Sequence, residues 1–123
     1  MKILVVDDDR EFCGTLEKIL TKKGHKIKCV HDPMDALKIK KGREFDLILL
    51  DHRMAPITGV DLLEKLRNEG IKTPAIMMSA YASRDTFYET RKLGLVDHIN
   101  KPFSIQALEV MIAETEKKQK RGL

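Results

Sequence analysis

Three runs of four consecutive apolar residues constrain this chain more than any other feature: Ile3-Leu4-Val5-Val6, Leu47-Ile48-Leu49-Leu50 and Ala75-Ile76-Met77-Met78. Each has the length of a strand, and none alternates with polar residues. That is the pattern of strands covered on both faces, which occurs where helices pack above and below a parallel sheet. Shorter stretches at 26–30 and 96–99 supply two outer strands.

The segments between these runs have helical period. Phe12, Leu16, Ile19 and Leu20 fall at i, i+4, i+7 and i+8, with Asp9 as N-cap and Gly24 as the stop. Asp32 caps a second helix with Pro33 at its first position; it carries Ala36, Leu37 and Ile39 and is expected to stop at Gly42. A third helix runs through Val60, Leu62, Leu63 and Leu66 to Gly70. A fourth covers 83–93 and ends at Gly94, and a fifth opens at Ser104 with Ile105, Leu108, Met111 and Ile112 inward. Strand and helix thus alternate five times with short connections, which predicts an α/β fold, a doubly wound three-layer sandwich with right-handed crossovers. A chain of 123 residues suits one domain. We expect that domain over 1–118, with 119–123 as a basic tail.

The 42% hydrophobic content provides a core, but the apolar runs are too short to cross a membrane. Met1-Lys2-Ile3-Leu4 leads straight into the first strand with no small-residue cleavage site, so a cytoplasmic protein without membrane insertion is expected. Cys13 and Cys29 lack CxxC spacing and read as small hydrophobes. The net charge of +4 would permit an acidic partner. Lys18, Lys22, Lys23, Lys26 and Lys28, however, fall on an exposed helix end and an edge strand, and there is no Trp to stack on bases, so direct nucleic-acid binding is not expected. His25 and His31 flank the edge strand and read as surface residues rather than ligands, and Met77 and Met78 as core.

In an open α/β sheet the binding crevice forms at the carboxyl ends of the strands. Those ends carry Asp7-Asp8-Asp9, Asp51, Ser79-Ala80 and Asn100-Lys101-Pro102. Taken alone, the Asp triplet could be a turn and a helix cap, Ser79 a local backbone partner, and Lys101-Pro102 an ordinary loop. Together they place acids, a hydroxyl and an ammonium in one crevice. Three carboxylates at close range repel one another unless a cation is present. Mg²⁺ fits, because it takes oxygen ligands, one or two of them carboxylates, and keeps waters that a phosphate displaces. Asp51 follows the most apolar strand and is the best nucleophile, since carboxylates form aspartyl-phosphate intermediates. Lys101 and Ser79 would stabilise the transferring group.

Val5-Val6-Asp7-Asp8, Leu49-Leu50-Asp51 with Gly59 eight residues on, Met78-Ser79-Ala80-Tyr81 and Lys101-Pro102-Phe103 resemble the ordered motif set of response-regulator receiver domains over essentially the whole chain. Within the family, Ser79-Ala80-Tyr81 and 98–103 look most similar to single-domain regulators of the chemotaxis and sporulation-phosphorelay type. The resemblance implies a flavodoxin-like (βα)5 sandwich with sheet order 2-1-3-4-5. It also implies a Mg²⁺-dependent phosphoacceptor at Asp51, with Mn²⁺ as a substitute metal. The metal ligands would be Asp8, Asp51, the Arg53 carbonyl and Asp7 partly through water; Ser79 and Lys101 would bind phosphoryl oxygens. A cis bond before Pro102 is implied, and His98 stands where receivers often carry an aromatic switch residue, with His52 also close by. Arg53 and Tyr81 would lie over the acyl phosphate and slow its hydrolysis, and Ala80 and Pro102 would shape the surrounding loops. The implied partners are a histidine kinase or phosphotransferase and a downstream protein target meeting the helix over 83–93, the fifth strand and the last helix; Phe12 and Thr15, on the first helix beside the pocket, are our own expectation for the kinase contact.

The chain departs from the family pattern at Met54-Ala55-Pro56-Ile57-Thr58-Gly59, where the proline comes one residue late and Thr58 replaces the usual acid. Two rivals remain. A phosphatase of the haloacid-dehalogenase type also uses an aspartate after an apolar strand, but it wants a second Asp two residues later, where this chain has Arg53. A binding module that keeps the fold without the chemistry would not need the full acidic set, Ser79 and Lys101. No helix-turn-helix or cyclase follows within these residues, so the output passes through protein contacts or lies elsewhere.

Overall fold

The apolar runs form the middle of a parallel five-stranded sheet. The structure, a computed structural model, describes residues 1–39, 44–80 and 90–120. In it β1 (Lys2–Val6), β3 (Leu47–Asp51) and β4 (Ala75–Ser79) lie side by side, flanked by β2 (Lys26–Val30) on one edge and β5 (Leu95–Asn100) on the other, in the order β2-β1-β3-β4-β5. All five expected strands and their order are observed.

The helices are α1 (Arg10–Lys22), α2 (Pro33–Lys38), α3 (Gly59–Asn68) and α4 (Ile105–Lys120). Because side chains alternate along a strand, each run feeds two cores. Leu4, Val6, Ile48, Leu50, Ala75 and Met77 pack with Ala36 of α2 and Leu62, Leu63 and Leu66 of α3. Ile3, Val5, Leu47, Leu49, Ile76 and Met78 pack on the opposite face with Cys13, Leu16 and Leu20 of α1 and Leu108 and Ile112 of α4. A strand buried on both faces leaves no polar side, which is why the three central runs are unbroken. Each fully buried Leu or Ile contributes roughly 1.5–3 kcal/mol.

The helix ends follow local chemistry. Asp9 accepts from the Phe12 amide and Asp32 from the Met34 amide, both as expected. Thr58, the residue in place of the usual acid, forms a reciprocal cap with Asp61 and so starts α3. Gly24, Gly70 and Gly94 have φ of 94°, 84° and 73°, values that side chains disfavour, and end their helices as expected. The second helix differs from expectation. It ends at Lys38, where Ile39 leaves helical dihedrals (φ −75°, ψ 81°) and packs its side chain against the core instead of continuing toward Gly42. Gly42, Tyr81 and the expected start of the fourth helix lie outside the described residues; Thr90 and Arg91 are its described helical end.

The histidines beside the edge strand sit deeper than expected, while both cysteines are buried or half-buried small hydrophobes as expected. His25 and His31 are half-buried and bonded: His25 Nδ1 lies 3.1 Å from the N-terminal ammonium, and burial with that neighbouring charge lowers its pKa. His31 Nδ1 lies 3.2 Å from the Asp7 carbonyl oxygen. The two cysteines meet across α1 and β2, Cys29 Sγ donating to the Cys13 carbonyl at 3.6 Å. Burial first, then Cys29, pushes the Cys13 thiol up to about 12, so it stays protonated and inert.

Candidate functional site

Five residues at the carboxyl end of the sheet are brought together by backbone geometry. Asp7 follows β1 and is completely buried. Its amide donates to the Val30 carbonyl at 3.1 Å, and the Asp9 amide donates to its Oδ1 at 3.0 Å. The Cys13 thiol reaches its carbonyl at 3.4 Å. Asp7 is therefore held on every side, with Oδ2 left to face the crevice. Asp8 is exposed beside it.

Asp51 is the last residue of β3 and only 8% exposed. The loop beyond it is closed tightly: the His52 amide donates to the Met78 carbonyl and the Gly59 amide to the His52 carbonyl, both at 2.8 Å. A Cβ on Gly59 would stand 2.3 Å from the Asp51 carbonyl oxygen, so only glycine lets α3 begin against the end of β3. This accounts for the spacing between Asp51 and Gly59. Between them Met54 is buried and Arg53 is exposed.

Ser79 ends β4 and is buried, and the Lys101 amide donates to its carbonyl at 2.7 Å. The register between β4 and β5 slips between Ala75 and Ile76, then runs regularly to Ser79 opposite Asn100, which delivers Lys101 beside the acids. The peptide bond before Pro102 is cis, as is that before Pro56.

Lys101 Nζ lies 2.6 Å from Asp7 Oδ2 and 3.2 Å from Asp51 Oδ1. Burial alone would lower its pKa, but its hydrogen bond to Asp7 and the charges of Asp7 and Asp51 win and hold it above the ordinary lysine value. Asp51 is pushed up, by burial first and by the Asp7 charge second, with Lys101 opposing both. Asp7, Asp8 and Asp51 each offer an oxygen, and these lie within 4.8 Å of one another. Three carboxylates against one ammonium leave two uncompensated negative charges in a partly dry site. An all-oxygen donor set with that deficit fits a hard divalent cation. The crevice thus couples a desolvated carboxylate to positive charge, the requirement for an acyl-phosphate-forming nucleophile.

The remaining candidates surround this centre. His98, half-buried in β5, has its pKa lowered by burial, with Asp97 opposing and His52 reinforcing, so its imidazole is neutral at neutral pH. Ala80 and Pro102, next to Ser79 and Lys101, are exposed, and Thr15 is exposed on α1. Phe12 is half-buried and its ring lies beneath Lys101, with Nζ 4.1 Å from the ring centroid. That contact and the contacts of the Asp7 carbonyl with His31 and Cys13 were not read from the sequence, because no motif connects these residues.

The chain matches the family model described as the response regulator receiver domain over residues 3–113. It is 34% identical over 112 residues to the transcriptional regulatory protein ZraR of Klebsiella oxytoca, a match that covers 91% of this chain and 25% of that protein. The chain therefore spans about a quarter of the length of that relative. Among solved structures, the receiver domain of the Francisella response regulator 1452 superposes with a TM-score of 0.87 at 31% identity, covering 96% of this chain and 98% of that one. TrrA from Thermotoga maritima shares the fold, with a TM-score of 0.81 at 24% identity over 93% of this chain and 97% of that one. The fold, the crevice at its carboxyl end and these likenesses agree: the chain belongs to the response regulator receiver domain family, the phosphate-accepting switch modules of two-component signalling.

Proposed function

We propose that Asp51 accepts a phosphoryl group from a phosphohistidine on a histidine kinase or phosphotransferase. The observation that carries this reading is the placement of Asp51: desolvated at the end of β3, 3.2 Å from Lys101, with the oxygens of two more carboxylates within 4.8 Å. In the transfer, an Asp51 carboxylate oxygen attacks phosphorus, the donor's P–N bond breaks and its electron pair stays on the imidazole nitrogen. Lys101 turns its ammonium to the phosphoryl oxygens, and the Ser79 hydroxyl donates to one of them. Asp8, Asp51, the Arg53 carbonyl and, through water, Asp7 would hold Mg²⁺, with Mn²⁺ as a substitute. When bound, that ion neutralises charge on the transferring group. TrrA was solved in complex with Mg(2+)-BeF, which supports this choice of metal.

The domain acts as a signalling module that assists its own phosphorylation and slow dephosphorylation rather than as a turnover enzyme. Arg53 and Tyr81 shield the acyl phosphate, Ala80 and Pro102 shape the rim, and His98 responds to occupation of Ser79. Phosphorylation favours one of two conformations through its contacts with Ser79 and Lys101, and so alters the face that β5 and α4, with the helix expected over 83–93, offer a protein target. Phe12 and Thr15 on α1 form the kinase-facing edge. We assign residues 1–118 to the receiver and 119–123 to a tail whose first two residues continue α4, and place the module in the cytoplasm without direct nucleic-acid contact. Among the described residues no helix is long and apolar enough to cross a membrane.

Incubation with acetyl phosphate and Mg²⁺, followed by intact mass, tests the reading. Wild type should gain one phosphoryl group, and Asp51→Asn or a chelator should abolish the gain. Equal labelling of Asp51→Asn would disprove it, and continuous hydrolysis of a generic phosphate ester would favour the phosphatase instead. If Arg53→Asn leaves the dephosphorylation rate unchanged, the shielding role is wrong.

A further inference from the structure

Two carboxylates do not fully account for where the Lys101 ammonium sits. A lysine carries three N–H donors on a flexible four-carbon stem, and its contacts to Asp7 and Asp51 lie on the sheet side of the crevice. On the α1 side the ammonium stands 4.1 Å from the centroid of the Phe12 ring, well within the range of a cation–π contact. The ring is itself constrained. The Phe12 amide is tied to the Asp9 side chain at 3.0 Å, and the ring meets that of Phe103 edge to face, with centroids 5.8 Å apart and planes at 87°. Phe103 lies two residues beyond Lys101, and both rings pack against the core on the α1 side of the sheet. Phe12 and Phe103 thus form a packed wall, and the negative face of one ring is turned to a cation that the proposed chemistry requires at a fixed point.

We propose that Phe12 is a positioning residue for Lys101: its ring face holds the ammonium over the crevice between Asp7 and Asp51, and Phe103 fixes the ring. This rests on the phosphoacceptor reading and deepens it. When Asp51 gains a phosphoryl group, Lys101 must transfer part of its bonding to the new oxygens. A quadrupole attracts a cation without using a hydrogen-bond acceptor, so the ring keeps the ammonium near the crevice while its carboxylate contacts are exchanged. An aliphatic side chain of similar size would fill the same volume without that attraction.

The test compares Phe12→Leu, which keeps apolar packing, with Phe12→Tyr, which keeps the ring, using acetyl phosphate so that no kinase contact is involved. The first readout needs no phosphorylation. In the proton spectrum of the wild-type protein the Lys101 ε-methylene should be displaced upfield by the ring current; Phe12→Tyr should retain the displacement and Phe12→Leu should lose it. The second readout is the phosphorylation rate at saturating Mg²⁺. There Phe12→Leu should be slower by about fivefold, the scale of one partly desolvated cation–π contact, with Phe12→Tyr within about twofold of wild type. An unchanged ε-methylene shift in Phe12→Leu, or a Phe12→Leu rate equal to wild type, overturns the proposal. So does equal slowing by both variants, which would mark the position as structural only. If wild type itself takes no label, the phosphoacceptor reading fails, while the ring-current result still decides whether Phe12 holds Lys101.

Discussion

Two half-buried cations occupy opposite ends of the sheet, and they are held in different ways. At the carboxyl end Lys101 is bound by two carboxylates and a ring, and its pKa is raised. At the amino end Arg67, in the last turn of α3, donates from Nε to the Leu93 carbonyl at 2.6 Å and from Nη1 to the Ile71 carbonyl at 2.8 Å. Burial lowers its pKa, with no carboxylate among the described residues opposing that effect. Arg67 uses its fork of donors to join the segments entering β4 and β5 through neutral acceptors. Lys101 instead sits among charges that outnumber it. One end of the molecule is satisfied without a ligand; the other is arranged so that its electrostatics are completed from outside.

The comparison breaks most visibly if Lys101 is removed. Lys101→Met leaves Asp7 buried without its cation and should lower metal-free stability by roughly 3 kcal/mol. Millimolar Mg²⁺ should restore part of the loss, measured by urea unfolding with and without the ion. Because the folded pKa of Lys101 is raised, its contribution is complete below the ordinary lysine value of about 10.5 and is lost only as pH climbs past the folded value. The gap between wild type and Lys101→Met should therefore be constant across neutral pH and close only in strong alkali. Arg67→Met should cost about 2 kcal/mol, because two carbonyls lose their donor. That loss should be unaffected by Mg²⁺; a metal-dependent rescue would erase the distinction between the two ends. Asp51→Asn should act in the opposite sense. The raised pKa of Asp51 marks its charge as unfavourable in the metal-free fold, so the variant should gain about 1 kcal/mol and melt ~4 °C higher. A lower melting temperature would show that Asp51 and Lys101 attract more than Asp51 and Asp7 repel. Thr58→Ala removes half of the reciprocal cap and should cost about 1 kcal/mol without changing either cation.

The central strands and both cores were legible because double-sided burial leaves a plain mark, unbroken runs such as Leu47 to Leu50, whereas the strand order followed only from the resemblance to the family. The acidic cluster and Lys101 were legible because the fold fixes which residues follow each strand. The end of α2 was not, because Ile39 exchanges helical geometry for core packing, a tertiary preference that outweighs the stop signal at Gly42. Arg67 was overlooked although a signal existed: it lies one turn beyond Leu63, on the buried stripe of α3, where a guanidinium needs partners. The Phe12 contact with Lys101 had no such signal, since helix period alone assigns Phe12 to the core.

The absent Cβ of Gly59 has a consequence for how this module can vary. Its amide closes the segment from His52 onto that residue's own carbonyl, while the bare α-carbon sits against the Asp51 backbone. Both ends of the segment are thus riveted to the sheet, Met54 and Ile57 pin its middle to the core, and the exposed Arg53, Ala55 and Pro56 form a replaceable faceplate. Sequence change there can alter what meets the crevice without displacing Asp51, whereas a single methyl group at position 59 would push the helix and Asp51 apart.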